Sequence, residues 1–264
     1  MVAVAVILLS TSPGQAGQSV PAGETGAGQG VKKRLVEQYG SAMPHEWGET
    51  VTGVKTRLNT KEKIIALTLD ACGSRGGMGF DAQLLAFLQR EKVPATLFIN
   101  ARWIGPNQDT FNRLAADPLF EIANHGLRHK PASVTGKSVY GISGTKDVGE
   151  LVDEIELNAL KIEELTGRRT RFYRSGTAYY DEVAVRIAQE LDHQVAGFSV
   201  LGDAGATYTR EQVKKALLGS TPGSIIIAHM NHPESGTGPG IMDAVPELKK
   251  RGFKFVRLSD LPLR

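Results

Sequence analysis

The chain is poor in several features that would fix its class at once. It has a single cysteine, Cys72, in 264 residues, which excludes an internal disulfide and any zinc cluster built from cysteines. No apolar run approaches the roughly 20 residues of a membrane-spanning helix, so no integral membrane segment is expected. Charge of one sign is scarce as well. Lys and Arg number 31 against 28 Asp and Glu, a net of +3. No basic run is longer than three residues, as in Lys32-Lys33-Arg34, and Arg168-Arg169 is shorter still. Nothing there would track a phosphate backbone, and nucleic acid is excluded as the expected partner. No Gly-x-Gly-x-x-Gly or phosphate loop follows a strand pattern. Gly73-Ser74-Arg75-Gly76-Gly77 is glycine-rich, but its spacing fits neither nucleotide fingerprint.

What is present is ordinary globular composition, 41% hydrophobic and 22% charged, which rules out disorder, collagen and coiled coil for the bulk of the chain. A chain of this length buries about 70–75% of its unfolded surface. That suits one α/β barrel or two small domains. Residues 2–9 are apolar and precede Gly14-Gln15-Ala16. They read as a secretory core with a small-x-small site, although the usual basic start is missing. Residues 1–17 are therefore expected to direct export to the periplasm or beyond. Residues 18–62 read as a linker and N-terminal extension, with a linker over 18–30 and a short helix over 31–39. A catalytic domain is expected over 63–264.

From Lys63 the pattern alternates. Strands are expected at 64–69, 95–99, 120–123, 170–173, 194–200, 224–228 and 253–256. Helices are expected at 81–91, 110–116, 151–165, 182–191, 210–218 and 241–251. About seven strands alternating with helices imply a parallel sheet covered by helices, open or closed into a barrel. Polar groups collect where strands end: Asp70, His125, Arg174, Asp203 and His229. In parallel α/β folds those ends face one side, where sites are built. His125 and His129 are four apart, so a helical turn would put both imidazoles within reach of one metal. Asp70 sits at a rigid strand tip; Arg174 could orient it or be an ordinary surface Arg, and His229 could protonate a leaving group or be a buried, hydrogen-bonded core His. His232 lies at the same mouth without a clear role. His45 and His193 have none.

These residues carry a resemblance. From about Lys63 to Leu261 the chain resembles the polysaccharide deacetylases, the nodulation-factor-deacetylase homology domain of carbohydrate esterase family 4. Leu67-Thr68-Leu69-Asp70-Ala71-Cys72-Gly73 is similar to the family's Thr-Phe-Asp-Asp-Gly. Asn124-His125-Gly126-Leu127-Arg128-His129-Lys130-Pro131 is similar to its His-x-x-x-His motif. Phe172-Tyr173-Arg174-Ser175-Gly176 resembles Arg-Pro-x-Gly without the Pro, and Gly202-Asp203-Ala204 stands at the family's Asp-Trp without the Trp. Ile225-Ile226-Ile227-Ala228-His229 matches the closing apolar-x-His motif. The resemblance implies a distorted (β/α)7 barrel that hydrolyses acetyl groups on sugars. It also implies a divalent metal, usually zinc, on His125 and His129, with Asp70 as base, Arg174 orienting it and His229 as acid.

One position departs from the family. Its second Asp, the third protein ligand, is Ala71 here, and a methyl group cannot coordinate. Asp70 could move onto the metal, Cys72 could supply a thiolate if the loop bends back, or the protein could be a non-catalytic relative. The first is expected, because Asp70, His125, His129, Arg174 and His229 are all present together. The expected function is metal-dependent deacetylation of an acetylated amino-sugar glycan, peptidoglycan or chitin-like. The alternatives are a glycan-binding pseudo-deacetylase and a hydrolase of small-molecule non-peptide C–N bonds. Residues 132–146 are expected to overhang the groove, so that deleting them changes substrate choice more than stability.

Overall fold

The structure, a computed structural model, describes residues 26–74 and 76–264. The export segment and residues 18–25 of the expected linker lie outside the described residues. Eight parallel strands form one curled sheet: β1 (Ile64–Ala71), β2 (Ala95–Ile99), β3 (Phe120–Asn124), β4 (Phe172–Tyr173), β5 (Gln194–Val195), β6 (Val200–Leu201), β7 (Ile225–His229) and β8 (Lys254–Val256). The order is β5-β4-β3-β2-β1-β7-β6, with β8 beside the start of β1. The run expected as one strand over 194–200 is two. β5 pairs with β4 at one edge and β6 with β7 at the other. Four residues, 196–199, therefore carry the chain from one edge to the other. So short a link is possible only because the sheet curls its edges towards each other, giving the distorted (β/α)7 barrel.

Helices cover the outside: α1 (Gly26–Tyr39), α2 (Ala82–Arg90), α3 (Ala101–Ile104), α4 (Gln108–Ala116), α5 (Val148–Thr166), α6 (Glu182–Glu190), α7 (Arg210–Leu218) and α8 (Thr237–Lys250). Their starts are written in the sequence. Asp81, Asp147 and Asp181 each accept a hydrogen bond from the backbone N–H three residues on, and Thr209 closes a capping box with Gln212, which satisfies otherwise orphaned amides. Gly167 ends α5 in the left-handed conformation, φ 67°. The expected linker over 18–30 is helical from Gly26. Leu35 is fully buried and Lys32 pairs with Asp153 of α5 at 2.6 Å. The stretch at 41–61, lacking periodicity, is fixed instead by single bridges to Tyr180, Ala196, Ser224 and Leu263.

The core splits by strand alternation. Ile65, Leu67, Leu69 and Ala71 pack outward against Leu84, Leu88, Val245 and Leu248 of the helices. Ala66 points inward with Phe98, Ala123, Phe172, Ala196 and Ile225. Because side chains alternate with period two, the inward series continues from these residues to the carboxyl ends of the strands.

Candidate active site

Counting by two along the strands places the polar groups. Ala66 and Thr68 lead to Asp70, Ala123 leads to His125, Phe172 to Arg174, and Ile225 and Ile227 to His229. All five strand-end groups meet at the carboxyl mouth of the barrel, as the sequence implied.

Arg174 is fully buried and reaches Asp70 Oδ1 at 2.7 Å through Nη1, which also donates to Thr68 Oγ1 at 2.8 Å. Its Nε donates to the Ala196 carbonyl and Nη2 to the Gly197 carbonyl, each at 3.0 Å, and its Cζ lies 4.1 Å from the Phe98 ring centroid. Such a fork holds one carboxylate in one orientation. The other Asp70 oxygen, Oδ2, lies 3.7 Å from His125 Nε2.

His125 donates from Nδ1 to the Arg174 carbonyl at 3.0 Å. That bond fixes the tautomer and leaves the Nε2 lone pair facing the mouth. His129 does not share a helical face with it. Residues 125–131 form no helix, and His129 has φ 62°. The two rings instead meet edge to face, with centroids 5.0 Å apart. His129 Nε2 is buried and has no hydrogen-bond partner. A buried imidazole nitrogen without a partner is costly, so this atom is set to receive a ligand.

Side chains the sequence reading passed over hold this loop. Glu154 of α5, nearly fully buried, accepts from the backbone N–H groups of Arg128 and Lys130. Burial raises its carboxyl pKa even against those bonds. Asn100 Nδ2 donates to the carbonyls of His125 and Gly126, and Asn158 ties Asn124 to Ile99. A Cβ on Gly126 would strike Glu154, and one on Gly176 would strike the His129 backbone. The alternation of β3 and the amide residues flanking His125 were the available signals; Glu154 had none, being one acid among many on a helix.

His229 donates from Nδ1 to Asp203, whose oxygens lie at 2.9 and 3.1 Å. Asp203 also accepts from the His229 backbone N–H at 2.7 Å and from Thr237 Oγ1 at 2.9 Å. Burial pushes His229 down, but the Asp203 carboxylate outweighs it and holds the imidazole well above its usual pKa. The same pair keeps Asp203 below the usual carboxylate range despite its burial.

Cys72 needs no bent loop. It stands two residues after Asp70 and so shares the inward face, while Ala71 packs among the outer apolar residues. Its Sγ is 3.6 Å from His125 Nε2. Burial pushes the thiol pKa up, yet the neighbouring imidazoles outweigh it and hold the thiol well below its ordinary value. Among the described residues, Cys72, His125 and His129 form the group whose ligand atoms all lie within 4.8 Å of one another. This donor set, with its unpartnered imidazole nitrogen, fits a divalent metal. His232 pairs through Nδ1 with the exposed Glu234 at 3.0 Å.

Known proteins share this architecture. A peptidoglycan-N-acetylmuramic acid deacetylase of Bacillus subtilis is 24% identical, over 77% of this chain and 73% of that one. The structure from that organism, described as a family 4 carbohydrate esterase, superposes with a TM-score of 0.64 over 87% of each chain at 22% identity. A carbohydrate esterase family 4 pseudoenzyme from Bacillus anthracis gives 0.63 at 22% identity, over 79% of this chain and 67% of that one. An acetyl xylan esterase from Clostridium thermocellum, in complex with a cobalt ion, gives 0.61 at 22% identity, over 75% and 89%. At these identities the solved structures speak for the fold alone. The polysaccharide deacetylase family model matches residues 57–196, more than half of the chain, and the chain belongs to that family.

Proposed function

We propose that the protein is a metal-dependent hydrolase that removes acetyl groups from the amino sugars of an envelope glycan such as peptidoglycan. The observation that carries this reading is the convergence of the Asp70–Arg174 pair, the Asp203–His229 pair and the two histidines His125 and His129 at one barrel mouth. The deacetylase relative from B. subtilis supports the substrate class. The catalytic unit is residues 63–264, with the extension packed on it. Export by residues 1–17 matches a substrate outside the cell membrane. Among the described residues no helix is long and apolar enough to cross a membrane.

A divalent metal, zinc in this proposal, would be held by His125 and His129 and would supply Lewis acidity towards the acetyl carbonyl and a more acidic water. The rest falls to the chain. Asp70 takes the proton from the attacking water, and Arg174 keeps its carboxylate aimed by occupying the other oxygen. His229 gives its proton to the amine as the C–N bond breaks, and Asp203 holds the ring in the tautomer that can do so. Water and amide are thus converted to acetate and a free amine, with one proton taken and one returned. General acid catalysis of this kind contributes about 10²- to 10⁴-fold.

A second reading, a glycan-binding pseudo-deacetylase, is favoured by Ala71 and by the pseudoenzyme of similar fold. Incubation with acetylated amino-sugar oligomers and peptidoglycan fragments separates the two. Acetate release that a chelator abolishes and zinc restores supports the enzyme. Binding of the glycan with no acetate from any of them supports the second reading.

A further inference from the structure

We propose that Cys72 is the third protein ligand of the metal, so that the site is Cys-His-His and Asp70 stays free as the base. The proposal rests on the metal-dependent reading above and specifies its donor set. Three observations carry it, none of them a titration.

The first is spacing. A tetrahedral metal with Zn–S of about 2.3 Å and Zn–N of about 2.0–2.1 Å separates a bound sulfur from a bound nitrogen by about 3.5 Å. Cys72 Sγ and His125 Nε2 are 3.6 Å apart. The second is the direction of free lone pairs. His125 has Nδ1 engaged with the Arg174 carbonyl, which turns Nε2 towards the sulfur. His129 Nε2 is buried without a partner, and its group with Cys72 and His125 spans no more than 4.8 Å. The third is that the rival carboxylate stands apart: its Oδ2 lies 3.7 Å from His125 Nε2, yet Asp70 does not join the group whose ligand atoms all lie within 4.8 Å of one another. Asp70 has one oxygen on Arg174 at 2.7 Å, and Ala71 packs outward among Leu69, Ile99 and Trp103. The missing carboxylate at 71 is thus answered by a thiolate at 72, the residue that follows the strand, on its inner side.

A thiolate alters what the site prefers. Two imidazoles and a sulfur favour zinc over harder ions such as magnesium or manganese. They also expose the site to oxidants, since sulfenylation of Cys72 would remove a ligand.

Cobalt substitution reads the ligand directly. The full chain, stripped of metal, is titrated with Co(II) and followed by absorption, with the bound metal counted. The expected result is one cobalt per chain and an intense near-ultraviolet thiolate-to-cobalt band. In Cys72→Ser that band is lost and affinity falls by more than about 100-fold, beyond the loss typical of an outer-shell residue. Cys72→Asp keeps one cobalt per chain without the band. One cobalt bound by the unaltered chain with no such band overturns the proposal and leaves the metal-dependent reading standing. No cobalt or zinc bound at all overturns both. The spectrum of the unaltered chain decides even if a variant fails to fold.

Discussion

At the scale of single residues, the buried Arg174 is the most exacting side chain of the site. Four of its contacts are with groups that no lysine can reach together: Asp70, Thr68 and the carbonyls of residues 196 and 197. Arg174→Met leaves the Asp70 carboxylate buried without a cation, which costs about 3–5 kcal/mol. Denaturant unfolding is expected to show that loss, together with loss of acetate release. His193, incidental to the site, contributes one component of the fold's pH dependence. Burial lowers its pKa from 6.5 to about 4. Its Nδ1 donates to the Leu191 carbonyl at 2.8 Å, so Nε2 accepts from Thr170 at 2.9 Å. The unfolded chain therefore takes up a proton that the folded chain refuses. Above pH 6.5 there is no penalty. Stability falls as the pH drops from 6.5 and levels off below about 4, a loss of about 3 kcal/mol. Unfolding midpoints measured across that window should show it, and His193→Gln should flatten this component.

At the scale of elements, the alternation of the strands was legible and the loops were not. The inward positions 70, 125, 174 and 229 follow from apolar strands counted by two, so the convergence of these side chains could be read from residues alone. The same count, carried one step past Asp70, places Cys72 inward, which a loop-based reading of that cysteine missed. The loop at 125–131 could not be read from spacing, because a helical i, i+4 face was assumed where Glu154 holds an irregular turn. Glu154→Ala removes the acceptor for two backbone N–H groups and should lower zinc affinity by about 10- to 100-fold, the effect of a second-layer residue. Calorimetric titration would measure it. The segment 132–146 also departs from expectation. Ala132, Ser133 and Thr145 are fully buried, and Ala132 N donates to the Tyr179 carbonyl. Deleting the segment would therefore damage the fold, contrary to the expectation that substrate choice would change more than stability. Its exposed tip is the part free to meet a glycan. Tyr140 is 70% exposed with its ring 5.5 Å from that of Tyr179. Tyr140→Ala should raise KM for long oligomers more than for short ones and change stability by less than about 0.5 kcal/mol.

At the scale of the molecule, the curl of the sheet is what makes the site. β5 and β6 stand at opposite edges, joined by residues 196–199. That link supplies the two carbonyls on which Arg174 rests. Barrel closure and the orientation of Asp70 are therefore one arrangement. The sequence showed the strand pattern here but not the break within it, since residues 194–200 read as one strand. The metal should couple to the whole fold as well. With zinc at about 100 times its Kd, the native state gains about 2.7 kcal/mol, and a chelator should lower Tm accordingly in a thermal scan. The central claim is that a sugar amide is cleaved. The most direct measurement counts acetate and new primary amine together in a reaction on an N-acetylated amino-sugar oligomer. The account predicts the two in equal amounts, both lost with chelator and regained with zinc. Acetate without amine, or neither product while the oligomer remains bound, would contradict it.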